Sequence, residues 1–308
     1  MNMSIDVLQA KIHKLKSPVM VGLDPTPELL PPFLLEEARA EYGDSITALA
    51  AAYERFCEGI LEAVSGVVPA VKVQETCFSA LGAEGVAAMQ RLMEKAGNMG
   101  FYVLLDSNFA SVEHIARLYA DGLFGETKVG EQVLHPYACD AVTVNGYLGG
   151  DNVRPFLPYC REQRKNLFCY VRTSNKSSRE VQELISGDRQ VYTAVTDLIM
   201  RWSLDLYGKN GYSEIAAVVG ATQPEAIRSL RQKYDRLFLL LIGYGAQGGH
   251  ARNAQYAFDK FGRGAIVSAS RSILGAWQKT GSEAAYQDSA RAAAVKMRDD
   301  IVKYLLVI

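Results

Sequence analysis

Short runs of apolar, β-rich residues recur along the chain, and between them the apolar positions shift to helical spacing. Eight runs stand out, at residues 18–22, 68–73, 101–106, 140–144, 167–171, 215–220, 237–242 and 264–267. Most are continuous rather than alternating, the pattern of strands buried on both faces in a parallel sheet. The segments between them place apolar residues three and four apart: "ITALAAAYERFCEGILEAV" (46–64), "GVAAMQRLMEKAG" (85–97), "VEHIARLYADGLFG" (112–125), "VYTAVTDLIMRWSLDLYG" (191–208) and "PEAIRSLRQKY" (224–234), with a closing helix over 285–307. Several of these end at glycine, a usual C-cap. Strand followed by helix, repeated eight times, predicts parallel βα units and an α/β fold of the (β/α)8 TIM-barrel kind. With no linker, repeat or low-complexity tract, residues 1–308 read as one domain. The alternative, an open doubly wound sheet, lacks a GxGxxG after its first strand.

Composition narrows the picture. The 308 residues are 49% hydrophobic and 22% charged, ordinary for a globular protein with a large core. A net charge of −1 offers no basic field for nucleic acid. No apolar run approaches the roughly 20 residues that span a bilayer, and "MNMSIDVLQAKIHKLK" has helical, amphipathic spacing without the apolar core of a signal peptide. Five scattered cysteines, Cys57, Cys77, Cys139, Cys160 and Cys169, form no CxxC pair, so neither a disulfide framework nor a zinc site is suggested. A reducing, cytoplasmic setting without membrane or nucleic-acid partners is the expectation.

Barrel active sites lie at the C-terminal ends of the strands, which turns strand ends into candidate site residues. "VGLDP" supplies Asp24, which taken alone reads as a turn before Pro25 and otherwise as an acceptor for a sugar hydroxyl. Lys72 is a cation within an apolar strand, and its ammonium must either reach the rim or meet an anion such as Asp106, at the end of "FYVLLD". "DAVTVNGYLGGD" supplies Thr143 and Asn145, and "FCYVRTSN" supplies Arg172, Thr173, Ser174 and Asn175; these suit a polar ring and equally cap the next helix. In "LLLIGYGAQGGH" (239–250), Gly245, Gly248 and Gly249 flank Gln247 and would let backbone N–H groups converge on an anion. Arg271 opens a short helix after the last strand, completing a phosphate site of the kind barrels build after strands seven and eight. His13, His114, His135 and His250 lack metal-ligand spacing; only His250 is close enough to the glycine loop to touch an anion.

These blocks together resemble orotidine 5′-phosphate decarboxylases of the longer bacterial subgroup. "VGLDP", "DAVTVNGYLGGD", "VRTSN", "VVGAT", "GYGAQGG" and "SASRSIL" match in order and spacing over nearly the whole chain. The resemblance implies a homodimeric barrel with sites at the interface, orotidine 5′-monophosphate or a UMP-like nucleotide as ligand, UMP and carbon dioxide as products, and no metal or organic cofactor. By that resemblance Asp24 binds the ribose, and Lys72 and Asp106 belong to a charged catalytic array. Ser174 contacts the pyrimidine, Gln247 bridges base and phosphate, and Arg271 clamps the phosphate.

One stretch departs from the family. Its Asp-x-Lys-x-x-Asp motif reads here Asp106, Ser107, Asn108, Phe109, Ala110, Ser111, with Ile115 in place of a threonine. Asn108 replaces the central lysine, and Ser111 replaces the aspartate that reaches the partner's site. The expectation is a nucleotide site retained and a decarboxylase activity strongly weakened. A non-catalytic nucleotide binder, or a lyase or isomerase for another phosphorylated substrate, is the alternative.

Overall fold

The computed structural model describes residues 3–306. Eight parallel strands close into a barrel: β1 (Val19–Leu23), β2 (Ala70–Gln74), β3 (Tyr102–Phe109), β4 (Ala141–Asn145), β5 (Asn166–Arg172), β6 (Ile215–Gly220), β7 (Leu239–Ile242) and β8 (Ala265–Ala269). Each pairs with its neighbours in sequence, and β8 pairs with β1 to close the ring. The chain is therefore a TIM barrel with helices between its strands, as the hydrophobic pattern predicts.

Strand parity fixes what the interior holds. Met20, Ala70, Tyr102, Leu104, Ala141, Phe168, Ala216, Val218, Phe238, Leu240 and Ile266 pack together inside the barrel. Their immediate neighbours, such as Val19, Val21, Val71, Val103 and Leu105, pack with the surrounding helices. Side chains alternate faces along a strand, so the residue two beyond each uppermost inward residue points into the barrel mouth.

The opposite end is sealed by α1 (Ser4–Leu15), whose Ile5, Leu8 and Ile12 join the interior cluster. Three further contacts seat it. Ser4 Oγ lies 2.9 Å from Tyr102 OH, the Ile5 N–H donates to the Glu214 carboxylate at 3.1 Å, and Gln9 Oε1 accepts from the Gly264 N–H at 3.2 Å.

Several boundaries differ from the sequence pattern, each for a local reason. The third strand runs on past Asp106 to Phe109, because its pairing with β4 slips between Leu105 and Phe109 and Asn108 takes the left-handed conformation at φ 48°. The helix expected to reach 208 ends at Trp202, where Ser203 Oγ donates to the Ile199 carbonyl at 2.7 Å and competes with the helical ladder. The closing helix spans Tyr286–Val302, and residue 307 of the expected segment lies outside the described residues. A helix at Pro32–Tyr42 and a hairpin joining Thr127–Val129 to Gln132–Leu134 have no counterpart in the predicted elements. Among the described residues, no helix is long and apolar enough to cross a membrane.

Candidate functional site

The mouth of the barrel holds a cavity of about 190 Å³, lined by Asp24, Lys72, Gln74, Asp106, Tyr170, Ile242, Gly243, Tyr244, Ala246, Gln247, Ser268, Ala269, Ser270 and Arg271. Parity explains much of this set. Lys72 follows Ala70, Asp106 follows Leu104, Tyr170 follows Phe168, Ile242 follows Leu240 and Ser268 follows Ile266, each two residues beyond an interior position.

Lys72 is the charged centre of the floor. Its Nζ lies 2.7 Å from Asp106 Oδ2 and 3.2 Å from Asp24 Oδ1, and donates to Gln74 Oε1 at 2.9 Å. Burial alone would lower the lysine pKa, but the charges of Asp106 and Asp24 and their hydrogen bonds hold it above its ordinary value. Burial would likewise raise the Asp106 pKa, yet Lys72, together with hydrogen bonds from Tyr170 and Thr143, keeps it below the usual carboxylate range. The pair is therefore ionised at neutral pH. Asp106 Oδ1 accepts from Thr143 Oγ1 at 2.8 Å and from Tyr170 OH at 2.7 Å. Tyr170 is itself pushed well up by burial and by the adjacent carboxylate.

Asp24 does more than open a turn. Its Oδ2 accepts from Ser270 Oγ at 2.6 Å while Oδ1 meets Lys72, linking β1, β2 and the end of β8. A Cβ at Gly22 would lie 2.0 Å from Ser270 Oγ, so this bond exists because residue 22 has no side chain. Across the cavity, Ser174 Oγ donates to Gln247 Oε1 at 2.6 Å and joins the loops after β5 and β7. Arg271 is exposed at the rim and forms no ion pair among the described residues.

Other expected residues sit elsewhere. Thr143 is buried behind Asp106 rather than on the cavity wall. Asn108 and Ser111 do not line the cavity. The Asn108 N–H donates to Thr143 Oγ1 at 2.8 Å, and the Ser111 N–H donates to Asn152 Oδ1 at 3.0 Å. Gly248 and Gly249 also lie off the cavity wall, and the glycine N–H groups do not converge on an anion position. Gly245 N–H donates to the Gly249 carbonyl, Gly248 N–H to Gly245, and Gly249 N–H to Gly243. The loop's glycines fold it on itself, which requires positive φ at Gly243, Gly245 and Gly248; Ala246 and Gln247 are the loop residues beyond Tyr244 that face the cavity. Arg172 is fully buried and turned from the cavity. It pairs with Glu183 at 2.5 Å and donates to Ser178, Gln182 and Gln223, pinning the base of the 176–189 segment. His250 is exposed and off the cavity. Among the described residues, no group of three or more His, Cys, Asp or Glu side chains is placed to hold a metal ion.

A family model described as orotidine 5′-phosphate decarboxylase / HUMPS matches residues 17–286. The chain belongs to this family. It is 34% identical over 299 residues to the orotidine 5′-phosphate decarboxylase of Rhodopirellula baltica, covering 96% of this chain and 97% of the relative. It is 31% identical over 296 residues to that of Caldicellulosiruptor bescii, covering 96% and 97%. Among solved structures, the Leishmania donovani OMP decarboxylase superposes with a TM-score of 0.74 at 26% identity, over 98% of each chain.

Within this decarboxylase-family barrel, sequence reasoning missed five polar residues of the mouth: Gln74, Tyr170, Tyr244, Ser268 and Ser270. Four had a signal in parity, since Gln74, Tyr170, Tyr244 and Ser268 lie two residues beyond Lys72, Phe168, Ile242 and Ile266. Ser270 follows Ser268 by the same step.

Proposed function

We propose that the chain binds a UMP-like nucleotide at the barrel mouth and converts orotidine 5′-monophosphate to UMP and carbon dioxide far more slowly than a relative carrying the complete Asp-x-Lys-x-x-Asp array. In this reading Arg271 meets the phosphate, Gln247 spans base and phosphate, Ser174 contacts the pyrimidine, and Asp24 takes the ribose. Family membership and the convergence of Asp24, Lys72, Gln247 and Arg271 on one cavity support it.

In the reaction, the bond from the ring carbon to the carboxylate breaks, carbon dioxide leaves, and the electron pair stays on the ring carbon until a proton arrives. With no electron sink, the protein must supply positive charge and a proton donor at that carbon. One observation carries the expectation of slow turnover. An ammonium has three donors, and those of Lys72 face Asp106 Oδ2, Asp24 Oδ1 and Gln74 Oε1, leaving none for a carbanion. Asn108 carries no charge and cannot act as an acid. Loss of one preorganised donor costs about 3–4 kcal/mol, or roughly 100–1,000-fold in rate.

We read the working form as a homodimer. Val112, Ile115 and Leu118, just beyond Ser111, are 59%, 40% and 66% exposed, an apolar strip suited to a second copy. The fully engaged Lys72 also favours a second reading, a nucleotide binder without turnover. Calorimetry with UMP and the absorbance of orotidine monophosphate test both. Saturable UMP binding with slow absorbance loss is expected; binding with no loss selects the binder. Rapid loss refutes the weakened site, and absence of UMP binding refutes the nucleotide reading and redirects the search to other phosphorylated substrates.

A further inference from the structure

At the sealed end of the barrel, remote from the mouth, lies a second cavity of about 380 Å³. That volume is within the range of small-molecule sites, roughly 300–1,000 Å³. It is lined by α1 (Gln9, Ala10, Ile12, His13), by Asn210, and by the turn before β8 (Phe261, Gly262, Arg263) with Ala265.

Its walls are built in advance. Asp259 Oδ1 accepts from the N–H groups of Phe261 at 2.8 Å and Arg263 at 2.9 Å, and its Oδ2 accepts from Tyr212 OH at 2.8 Å. Asp6 does the same for the facing loop, accepting from the N–H groups of Lys209 at 2.8 Å and Asn210 at 3.1 Å. Both nearby carboxylates are thus occupied in holding the backbone. The cations are not similarly occupied: Arg263 forms no ion pair among the described residues, and its guanidinium lies 5.9 Å from the Phe261 ring centroid. Phe261, 52% exposed, lines the cavity beside it.

Gln9 ties α1 to the turn before β8. It is 7% exposed, its Oε1 accepts from the Gly264 N–H, and its Nε2 has no partner among the described residues. That Nε2 is enclosed by the wall, which leaves Arg263 as the charged group that a ligand can reach.

We propose that this cavity binds a small organic acid with a flat apolar body, its carboxylate taken by Arg263 and its body lying against Phe261 and Ile12. The site is independent of nucleotide binding at the mouth.

Sodium benzoate, followed by ligand-observed NMR on the full-length protein, tests this directly, with benzyl alcohol as the uncharged analogue. Saturable benzoate binding is expected, about tenfold or more tighter than benzyl alcohol. Arg263→Ala should weaken benzoate by a similar factor and leave benzyl alcohol unchanged, and saturating UMP should not displace it. No saturable binding, displacement by UMP, or indifference to Arg263→Ala overturns the proposal.

Discussion

The two sides of the barrel mouth differ in what their polar groups are free to do. On the side of β7 and β8, Arg271 is exposed and forms no ion pair among the described residues, and Gln247 is exposed with a bond from Ser174. On the side of β2 to β5, Lys72, Asp106, Thr143 and Tyr170 satisfy one another, and Gln74 completes the set. Asp24 touches both sides. An open polar group can exchange water for a ligand at little cost, whereas a closed network must first be broken. The first arrangement suits recognition and the second suits rigidity; fast chemistry at the ring carbon would require the second to leave a charge available.

The strongest test of that contrast is to reinstall the missing charges. Asn108→Lys with Ser111→Asp should raise orotidine monophosphate decarboxylation by about 100-fold or more, measured as kcat/KM. The gain is opposed by the left-handed backbone at residue 108, which asparagine tolerates and lysine resists by about 1–2 kcal/mol. No gain would mean that the closed side of the mouth has diverged beyond repair by charge alone.

The closed network can also be opened. Asp106→Ala leaves Lys72, Tyr170 and Thr143 without their shared acceptor and should lower stability by about 3–5 kcal/mol in urea titration. On the open side, Arg271→Ala should weaken UMP by roughly 1.5–3 kcal/mol, the worth of hydrogen bonds to a charged group, and leave uridine affinity and stability unchanged. Equal losses for UMP and uridine would remove the phosphate role. Gly22→Ala should displace Ser270 from Asp24 and cost about 1–3 kcal/mol of stability, visible as a lower denaturation midpoint.

A further test is a pH slope away from the mouth. Burial pushes the Glu214 carboxyl up to about 8 from an ordinary 4.5. The unfolded chain then holds fewer protons than the folded one between those values, so stability is fullest below pH 4.5 and declines as pH rises towards 8, by at most about 1.4 kcal/mol per unit. Glu214→Gln should flatten that decline in thermal melts across the interval. The Asp106 shift runs the opposite way: its stabilisation is present above pH 3.8 and is lost as pH falls below it.

The barrel was legible because continuous apolar runs and helical spacing alternate eight times, a pattern set by burial alone. The location of the mouth followed from the strand ends. What parity could not reveal was the direction of a side chain once a strand loses its regular pairing. Arg172 lies two residues past Tyr170, yet the pairing of β5 with β6 shifts between Val218 and Val219, and the guanidinium turns to the 176–189 segment. The glycines of 243–249 announced a special loop but not which N–H groups it would use internally. Asn108 was legible as a lost charge; its role in holding Thr143 depends on a backbone twist that no spacing encodes.

Because α1 is seated against Tyr102, Glu214 and Gly264, this helix finds its place only after the chain leading into the eighth strand has been made. Its apolar stripe must wait, exposed, through most of synthesis. Contacts spanning so much sequence slow folding, and the stripe of α1 is the surface left open to aggregation meanwhile.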